Sequence, residues 1–79
     1  MEVLFMWSNE YKKYQSILAI NIKKFRGEKS LSQEKLGLLA DVDRTLVSKI
    51  ERCIANPSLE ILVKISLCLE VPIDQLLKM

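Results

Sequence analysis

The sequence predicts an all-α fold, a compact bundle of five helices. Apolar residues recur at helical spacing along almost the whole chain, the alternation typical of strands is missing, and Pro and Gly fall where helices are expected to end. The 79 residues form one domain, 1–79. Its core is small, because a chain of this size buries only about 60–65% of the surface exposed on unfolding.

The first predicted helix has one apolar face. At spacings i, i+4 and i+7, this face contains Leu18, Ile22 and Phe25. Tyr14 and Tyr11 continue the stripe towards the N-terminus, so we expect the helix to begin near Ser8 or Asn9. The segment 27–30 then ends it.

Residues 1–8 allow two interpretations. As a tail, they pack Leu4, Phe5 or Trp7 on the core; as an N-terminal arm, they touch DNA or a partner subunit. The apolar run 3–7 is too short for a secretory signal, and Glu2 stands where a signal peptide carries positive charge.

Two short helices follow, each with a polar capping residue. Ser32 can cap a helix over 33–40, whose inner side we assign to Leu36, Leu39 and Ala40. Asp41 tolerates a left-handed backbone in the break. Asp43 can cap the third helix, which runs to about 52 and turns Val47 and Ile50 inward.

The last two helices follow a loop at Asn56-Pro57. Ser58 can cap a fourth helix over 59–69, which is apolar nearly all round. Its core set is predicted to be Leu59, Leu62, Ile65 and Leu69. A short fifth helix over 73–78 closes the chain.

The outer face of the third helix is the strongest functional signal. It consists of Arg44, Thr45, Ser48, Lys49 and Arg52. Arg and Lys can pair with guanine in a DNA major groove, and Ser and Thr can bond bases or phosphates. Two helices joined by three or four residues, with this face on the second, fit a helix-turn-helix at 33–52. The face alone also fits an ordinary solvated helix.

Charge agrees with a polyanionic partner. Residues 12–52 carry ten Lys and Arg against five Asp and Glu, whereas the net charge of the whole chain is +2. Enzymatic chemistry is not expected, because the chain has no His and no nucleophile with a base beside it. Nothing indicates a cofactor, a metal, a small-molecule ligand or a membrane partner, and we expect the two cysteines to be reduced in the cytoplasm.

The run QEKLGLLADVDRTLVSKIER at 33–52 resembles the helix-turn-helix of the phage-repressor and Cro family. The flanking runs NIKKFRGEKSLSQ and NPSLEILVKISLCLEVPIDQLL are similar to that family's remaining helices, so the resemblance covers about 17–77 and implies a lambda-repressor-like fold. Three positions depart from the family pattern. Gly37 stands where Ala is usual, and Asp41 and Cys53 stand where Gly is common.

The resemblance implies roles for individual residues. Arg44, Thr45, Ser48 and Lys49 correspond to readers of bases. Gln33 corresponds to a phosphate anchor at a helix N-terminus, and Arg52 and Asn56 to contacts with phosphates or the groove edge. Arg26 and Glu51 correspond to a structural ion pair between the first and third helices.

Within the family, the run 43–52 is most similar to controller proteins of restriction–modification systems. This implies a transcriptional regulator that binds a palindromic operator in double-stranded DNA as a homodimer and controls its own and the endonuclease gene. RNA polymerase is then a further candidate partner. The alternative is an antitoxin or other small repressor whose main partner is a protein.

The segment 58–79 offers a surface for dimerisation. Its fourth helix carries more apolar residues than a core face needs, and such clusters usually mark an interface. We assign the interface to Ile61, Leu67, Ile73 and Leu77. Cover by residues 4–7 of the same chain is the alternative.

Overall fold

The computed structural model describes residues 2–79, with side chains from Met6 onward. These residues form four α-helices and one 3₁₀ helix, without a strand, which confirms the all-α class. The elements are α1 (Glu2–Glu28), α2 (Gln33–Ala40), α3 (Arg44–Glu51), α4 (Leu59–Leu69) and the 3₁₀ helix (Ile73–Leu77). The predicted fifth helix is thus a 3₁₀ helix, because five residues behind Pro72 are too few to offset the nucleation cost of an α-helix.

The predicted caps fix the starts of three helices. The Ser32 hydroxyl accepts a hydrogen bond from the Lys35 amide (2.9 Å), and the Asp43 carboxylate accepts one from the Thr45 amide (2.7 Å). Ser58 does the same for the Ile61 amide at the start of α4 (3.2 Å). Each side chain satisfies an amide that the helix itself leaves without a partner.

The helix α1 begins earlier than the sequence suggested. It runs from Glu2 instead of starting near Ser8 or Asn9, so the described part of the predicted N-terminal arm is helical. Ser8 does not stop the helix, because serine is only mildly unfavourable inside one. Trp7 is exposed, and the side chains of Leu4 and Phe5 lie outside the described residues.

One apolar core holds the helices together. α1 packs on α3 and the 3₁₀ helix, and α2 packs on α3 and α4. The core residues are Leu18, Ile22, Leu36, Ala40, Val42, Val47, Ile50, Ile65, Leu69 and Leu76.

Two residues predicted inside the core are exposed instead, Leu39 and Leu59. The inner side of α2 consists of Leu36, Gly37 and Ala40, and Leu39 lies off that side. Leu59 lies in the first turn of α4, whereas the buried residues of α4 lie in its second half.

The connections between helices use left-handed backbone without glycine. Ser30, Asp41, Cys53 and Glu70 all have φ between 55° and 61°. Asp41 and Glu70 are the C-caps of α2 and α4, and the left-handed conformation of Asp41 agrees with the expectation that this residue tolerates it. Non-glycine residues enter this region at a cost of about 1–2 kcal/mol, so each site must be held by the packing around it.

Candidate nucleic-acid interface

The two sides of α3 differ sharply. Val47 and Ile50 are buried in the core, which fixes the rotation of the helix about its axis. As a result, Arg44, Thr45, Lys49 and Arg52 are exposed and Ser48 is half-buried. None of the five side chains that the sequence placed on this face is buried against another helix, so the face is open to a ligand.

The turn between α2 and α3 is tight. Asp41 takes the left-handed conformation, and the Val42 amide donates to the Gly37 carbonyl (2.8 Å). A Cβ atom at Gly37 would lie only 2.6 Å from the Val42 carbonyl oxygen and 3.3 Å from Cα of Arg44. Glycine at position 37 therefore permits a close approach of α2 to the start of α3, and this approach positions the first residue of the polar face.

A buried network ties both helices to α1. The Arg26 guanidinium donates from Nε to Glu51 Oε2 (2.8 Å) and from Nη2 to Glu51 Oε1 (2.9 Å), which confirms the predicted ion pair. Arg26 Nη1 also donates to the Leu31 carbonyl (2.8 Å). Such a bidentate pair fixes direction as well as distance, and it anchors the end of α3 on α1.

The charge state of this network follows from its surroundings. Burial alone would raise the pKa of Glu51, but hydrogen bonds from Arg26 and Gln33, with the charges of Arg26 and Lys23, outweigh it and lower that pKa. The hydrogen bond to Glu51 raises the pKa of Arg26, against the effect of burial. Both groups are therefore charged at neutral pH.

Gln33, the predicted phosphate anchor, belongs to the same network. Its side-chain amide donates to Glu51 Oε1 (3.2 Å), and its side chain is half-buried. The amide group is thus oriented by the fold before any ligand arrives. Gln33 is also the first residue of α2, where backbone N–H groups have no partner within the helix.

The other two predicted phosphate contacts lie at the far end of the face. Arg52 is exposed and donates from Nε to the Ser48 carbonyl (3.4 Å). Asn56 is exposed in the loop before α4. The structure thus leaves both side chains accessible at the C-terminal end of α3.

One residue of the face has a partner that the sequence did not indicate. Arg44 Nη1 lies 3.3 Å from Glu34 Oε2, and both side chains are exposed. The pair joins the first turns of α2 and α3, ten positions apart. Because the helices meet only in the folded chain, no local spacing rule could have found it.

The four residues assigned to a dimer interface divide into two pairs. Ile61 and Ile73 are partly buried against the core, whereas Leu67 and Leu77 are exposed. Leu59 and Val63 are also exposed, so α4 shows an apolar stripe at Leu59, Val63 and Leu67, spaced i, i+4, i+8. We call these three residues the α4 stripe.

Neither a metal site nor a membrane span emerges from the described residues 2–79. No three acidic or cysteine side chains there come together as metal ligands would. None of the helices in this range has the length and apolar character needed to cross a bilayer. Cys68 packs partly against the core, where burial raises the pKa of its thiol.

Comparison with known proteins agrees with this geometry. A helix-turn-helix family model matches residues 22–76, which is most of the chain. Among curated proteins, none matches the sequence. The chain belongs to this helix-turn-helix family of DNA-binding transcription regulators.

Several solved structures share the fold. A hypothetical transcription factor, NHTF from Neisseria, is 38% identical with a TM-score of 0.80, over 82% of this chain and 75% of that one. The restriction-modification controller protein C.AhdI from Aeromonas hydrophila is 31% identical with a TM-score of 0.76, over 78% and 94%. The restriction-modification controller protein C.Esp1396I is 39% identical with a TM-score of 0.71, over 75% and 77%.

Proposed function

We propose that this DNA-binding regulator recognises a palindromic operator as a homodimer and is a restriction–modification controller for its own and the endonuclease gene. The observation that carries the proposal is the polar outer face of α3. This face points to solvent because Val47 and Ile50 on the opposite side of the helix are buried in the core. The likeness to two controller proteins supports the finer assignment. RNA polymerase is the candidate partner of the DNA-bound form.

The reading residues lie at the start and middle of α3. We assign base contacts to Arg44, Thr45, Ser48 and Lys49. Arg44 is the strongest candidate, because its exposed guanidinium can pair with guanine O6 and N7. Its bond to Glu34 is exposed and weak, so it can be exchanged for a bond to DNA.

Phosphate contacts are assigned to residues at both ends of the helix-turn-helix. Gln33 presents its backbone N–H at the N-terminus of α2, where the helix dipole favours an anion. Arg52 and Asn56 are exposed after the reading residues. Contacts on both sides of the reading face would fix the register of α3 in the groove.

The dimer interface is assigned to Leu67 and Leu77 together with the rest of the α4 stripe. All of these apolar side chains are exposed in the single chain. Ile61 and Ile73, which pack partly on the core, would contribute only their remaining exposed surface. A twofold dimer places two copies of α3 about 34 Å apart, one turn of DNA.

The reading face is tested by Arg44→Ala. Selection from a random DNA pool first gives the preferred site, and we expect it to be twofold symmetric. Arg44→Ala then weakens binding to this site by about 1–3 kcal/mol and relaxes the base preference at one position of each half-site. Lys24→Ala is the matched control, because Lys24 is also an exposed cation but lies on α1 instead of α3. Its neighbours are Asn21, also on α1, and Gln75 in the C-terminal region.

Unchanged operator binding by Arg44→Ala would show that α3 does not read DNA through this face. Selection that returns no symmetric site would overturn the homodimeric operator. Capture of a protein encoded beside this gene, with no DNA preference, would favour the antitoxin function instead.

The interface is tested by Leu67→Glu. In the single chain Leu67 is 74% exposed, so a charge there costs little folding stability but opposes burial in a dimer. We expect monomers in sedimentation and weaker, non-cooperative operator binding. Leu38→Glu is the matched control, because Leu38 is 72% exposed but lies on α2. A Leu67→Glu protein that stays dimeric would place the interface elsewhere.

A further inference from the structure

The first half of α1 carries a group of exposed aromatic residues outside the matched family region. The family model begins at residue 22, and Trp7, Tyr11 and Tyr14 all precede it. Trp7 is 59% exposed, and its ring lies beside Tyr11 of the same helix, with ring centroids 6.4 Å apart. We call residues 6–14 the α1 extension.

The aromatic residues continue the core-facing side of α1. Trp7 and Tyr11 stand four residues apart, and Leu18 and Ile22 follow on the same side of the helix. Leu18 and Ile22 are buried in the core, whereas Trp7 and Tyr11 are exposed. The helix is about 40 Å long at 1.5 Å per residue, close to the longest dimension of the molecule, 43 Å. Its apolar side thus extends beyond the bundle that covers its second half.

The bundle presents further apolar surface where the α1 extension joins it. Gln15 Nε2 donates to the Tyr11 hydroxyl (2.9 Å) and to the Ala55 carbonyl (3.2 Å), which brings the loop after α3 against α1. Ile54, next to Ala55, is exposed. The same loop leads into Leu59, the first residue of the α4 stripe. Exposed apolar side chains therefore occur from the extension through this loop to the proposed dimer interface.

We propose that a second copy of this chain covers the α1 extension, so that the extensions form part of the homodimer interface. This inference rests on the homodimer proposed above. Charge is compatible with a second copy: the extension carries Glu10 against Lys12 and Lys13, a net charge of only +1, and Lys13 Nζ lies 4.0 Å from Glu10 Oε2. A twofold interface brings the same patch to itself, and a patch with both signs avoids net repulsion. A phosphate backbone would instead select a larger positive excess, such as the ten Lys and Arg against five Asp and Glu in residues 12–52.

The area needed by a dimer points the same way. Stable interfaces bury about 800 Å² on each partner. The exposed surface of the α4 stripe and Leu77 is smaller than this area. Aromatic side chains bury about 150–250 Å² each when fully covered, so the exposed parts of Trp7, Tyr11 and Tyr14 offer on the order of 300 Å² more. With the extension, the interface approaches the size of a stable dimer.

Trp7 is the only tryptophan of the chain and serves as the probe. Its fluorescence and its quenching by acrylamide are measured along a dilution series whose dimer content is known from sedimentation. We expect the emission to shift to shorter wavelength and the quenching to fall as dimers form. The Leu67→Glu variant, which we expect to be monomeric, should keep the emission wavelength and the quenching of an exposed Trp7 at every concentration.

A second measurement uses Tyr11→Gln with Tyr14→Gln, two changes that preserve helix propensity. We expect the dimer dissociation constant to rise about tenfold or more, equivalent to 1.4 kcal/mol or more. Ile20→Gln is the matched control, because Ile20 is exposed on the other side of α1. Circular dichroism checks that both variants keep their helices.

Each failure has a distinct meaning. Dimers in which Trp7 stays as accessible as in the monomer would overturn this inference and leave the homodimer standing. Shielding of Trp7 only after operator DNA is added would overturn it in favour of a DNA-binding arm. A chain that stays monomeric at all concentrations, with and without operator, would overturn the homodimer and the inference together, while Arg44→Ala would still test DNA reading.

Discussion

Two Arg–Glu pairs in this molecule use the same chemistry for opposite purposes. Arg26 and Glu51 meet at 2.8 Å with side chains only 16% and 6% exposed. Arg44 and Glu34 meet at 3.3 Å with side chains 66% and 73% exposed. The first pair joins α1 to α3, and the second joins α2 to α3.

Burial explains the difference between the two pairs. A desolvated, bidentate pair is fixed, because losing one partner leaves a charge buried without compensation. An exposed pair contributes about 0–1 kcal/mol, and either partner can exchange it for water or another ligand. The Arg26–Glu51 pair that anchors α3 is therefore costly to break. The pair that Arg44 makes with Glu34 can be broken at little cost when Arg44 binds another ligand.

The largest expected effect comes from breaking the buried pair. Arg26→Ala leaves Glu51 without its main partner, and we expect the free energy of unfolding to fall by about 3–5 kcal/mol. Urea denaturation at fixed protein concentration measures the change. Arg44→Ala is the matched control and should stay within about 0.5 kcal/mol of wild type, because its side chain is exposed. Equal losses in both variants would remove the distinction between the pairs.

The buried pair also predicts that the free energy of unfolding decreases at acidic pH. The pKa of Glu51 is lowered in the folded chain, so at acidic pH the unfolded state binds the proton more readily. The stabilisation is complete above the ordinary pKa of a carboxyl group and is lost as pH falls through the lowered pKa. We expect Glu51→Gln to be less stable than wild type at neutral pH and to lose less stability on acidification. Denaturation curves from neutral to acidic pH measure both slopes, and parallel slopes would contradict the prediction.

A smaller effect is expected at the contact that positions the exposed pair. Gly37→Ala places a Cβ atom 2.6 Å from the Val42 carbonyl oxygen, so the backbone around Arg44 must shift. Such overpacking costs about 1–3 kcal/mol, which the gain of about 1 kcal/mol in helix propensity only partly offsets. Operator binding should weaken as well.

Gly27→Ala provides the control for that change. Nothing lies within 4 Å of a Cβ atom at Gly27 in α1, so we expect this variant to gain about 0.5–1 kcal/mol. Thermal unfolding of both variants gives the comparison. A Gly37→Ala protein stabilised as much as Gly27→Ala would show that α2 and α3 have room between them.

Features set by local sequence were predictable from the residues themselves, whereas features set by distant neighbours were predictable only where a family resemblance supplied them. Ser32, Asp43 and Ser58 mark the starts of α2, α3 and α4, because a cap acts on amides two or three residues away. The Arg26–Glu51 pair followed from resemblance to the phage-repressor family, since its partners are 25 positions apart. The fold and the polar face of α3 were therefore accessible from the sequence.

The wrong burial predictions and the contacts that the sequence missed share one physical origin. Leu39 and Leu59 are apolar and lie on helices with an apolar inner side, but no neighbouring element covers them. The tie between Gln33 and Glu51 and the pair between Glu34 and Arg44 depend on how helices approach each other. Periodicity gives the side of a helix, whereas the partner on that side is determined by tertiary packing.

The smallest expected effect tests the exposed pair from its acidic side. Glu34→Gln removes the carboxylate that holds Arg44, and an exposed pair is worth about 0.2–1 kcal/mol, so we expect little change in the free energy of unfolding. It also removes one negative charge beside the reading face, so operator binding should strengthen slightly at low salt and less at high salt. Binding titrations at two salt concentrations measure this. If Glu34→Gln instead weakened binding as strongly as Arg44→Ala, Glu34 would be required to orient Arg44 in the complex, and the exposed pair would be as fixed in its function as the buried pair is in the fold.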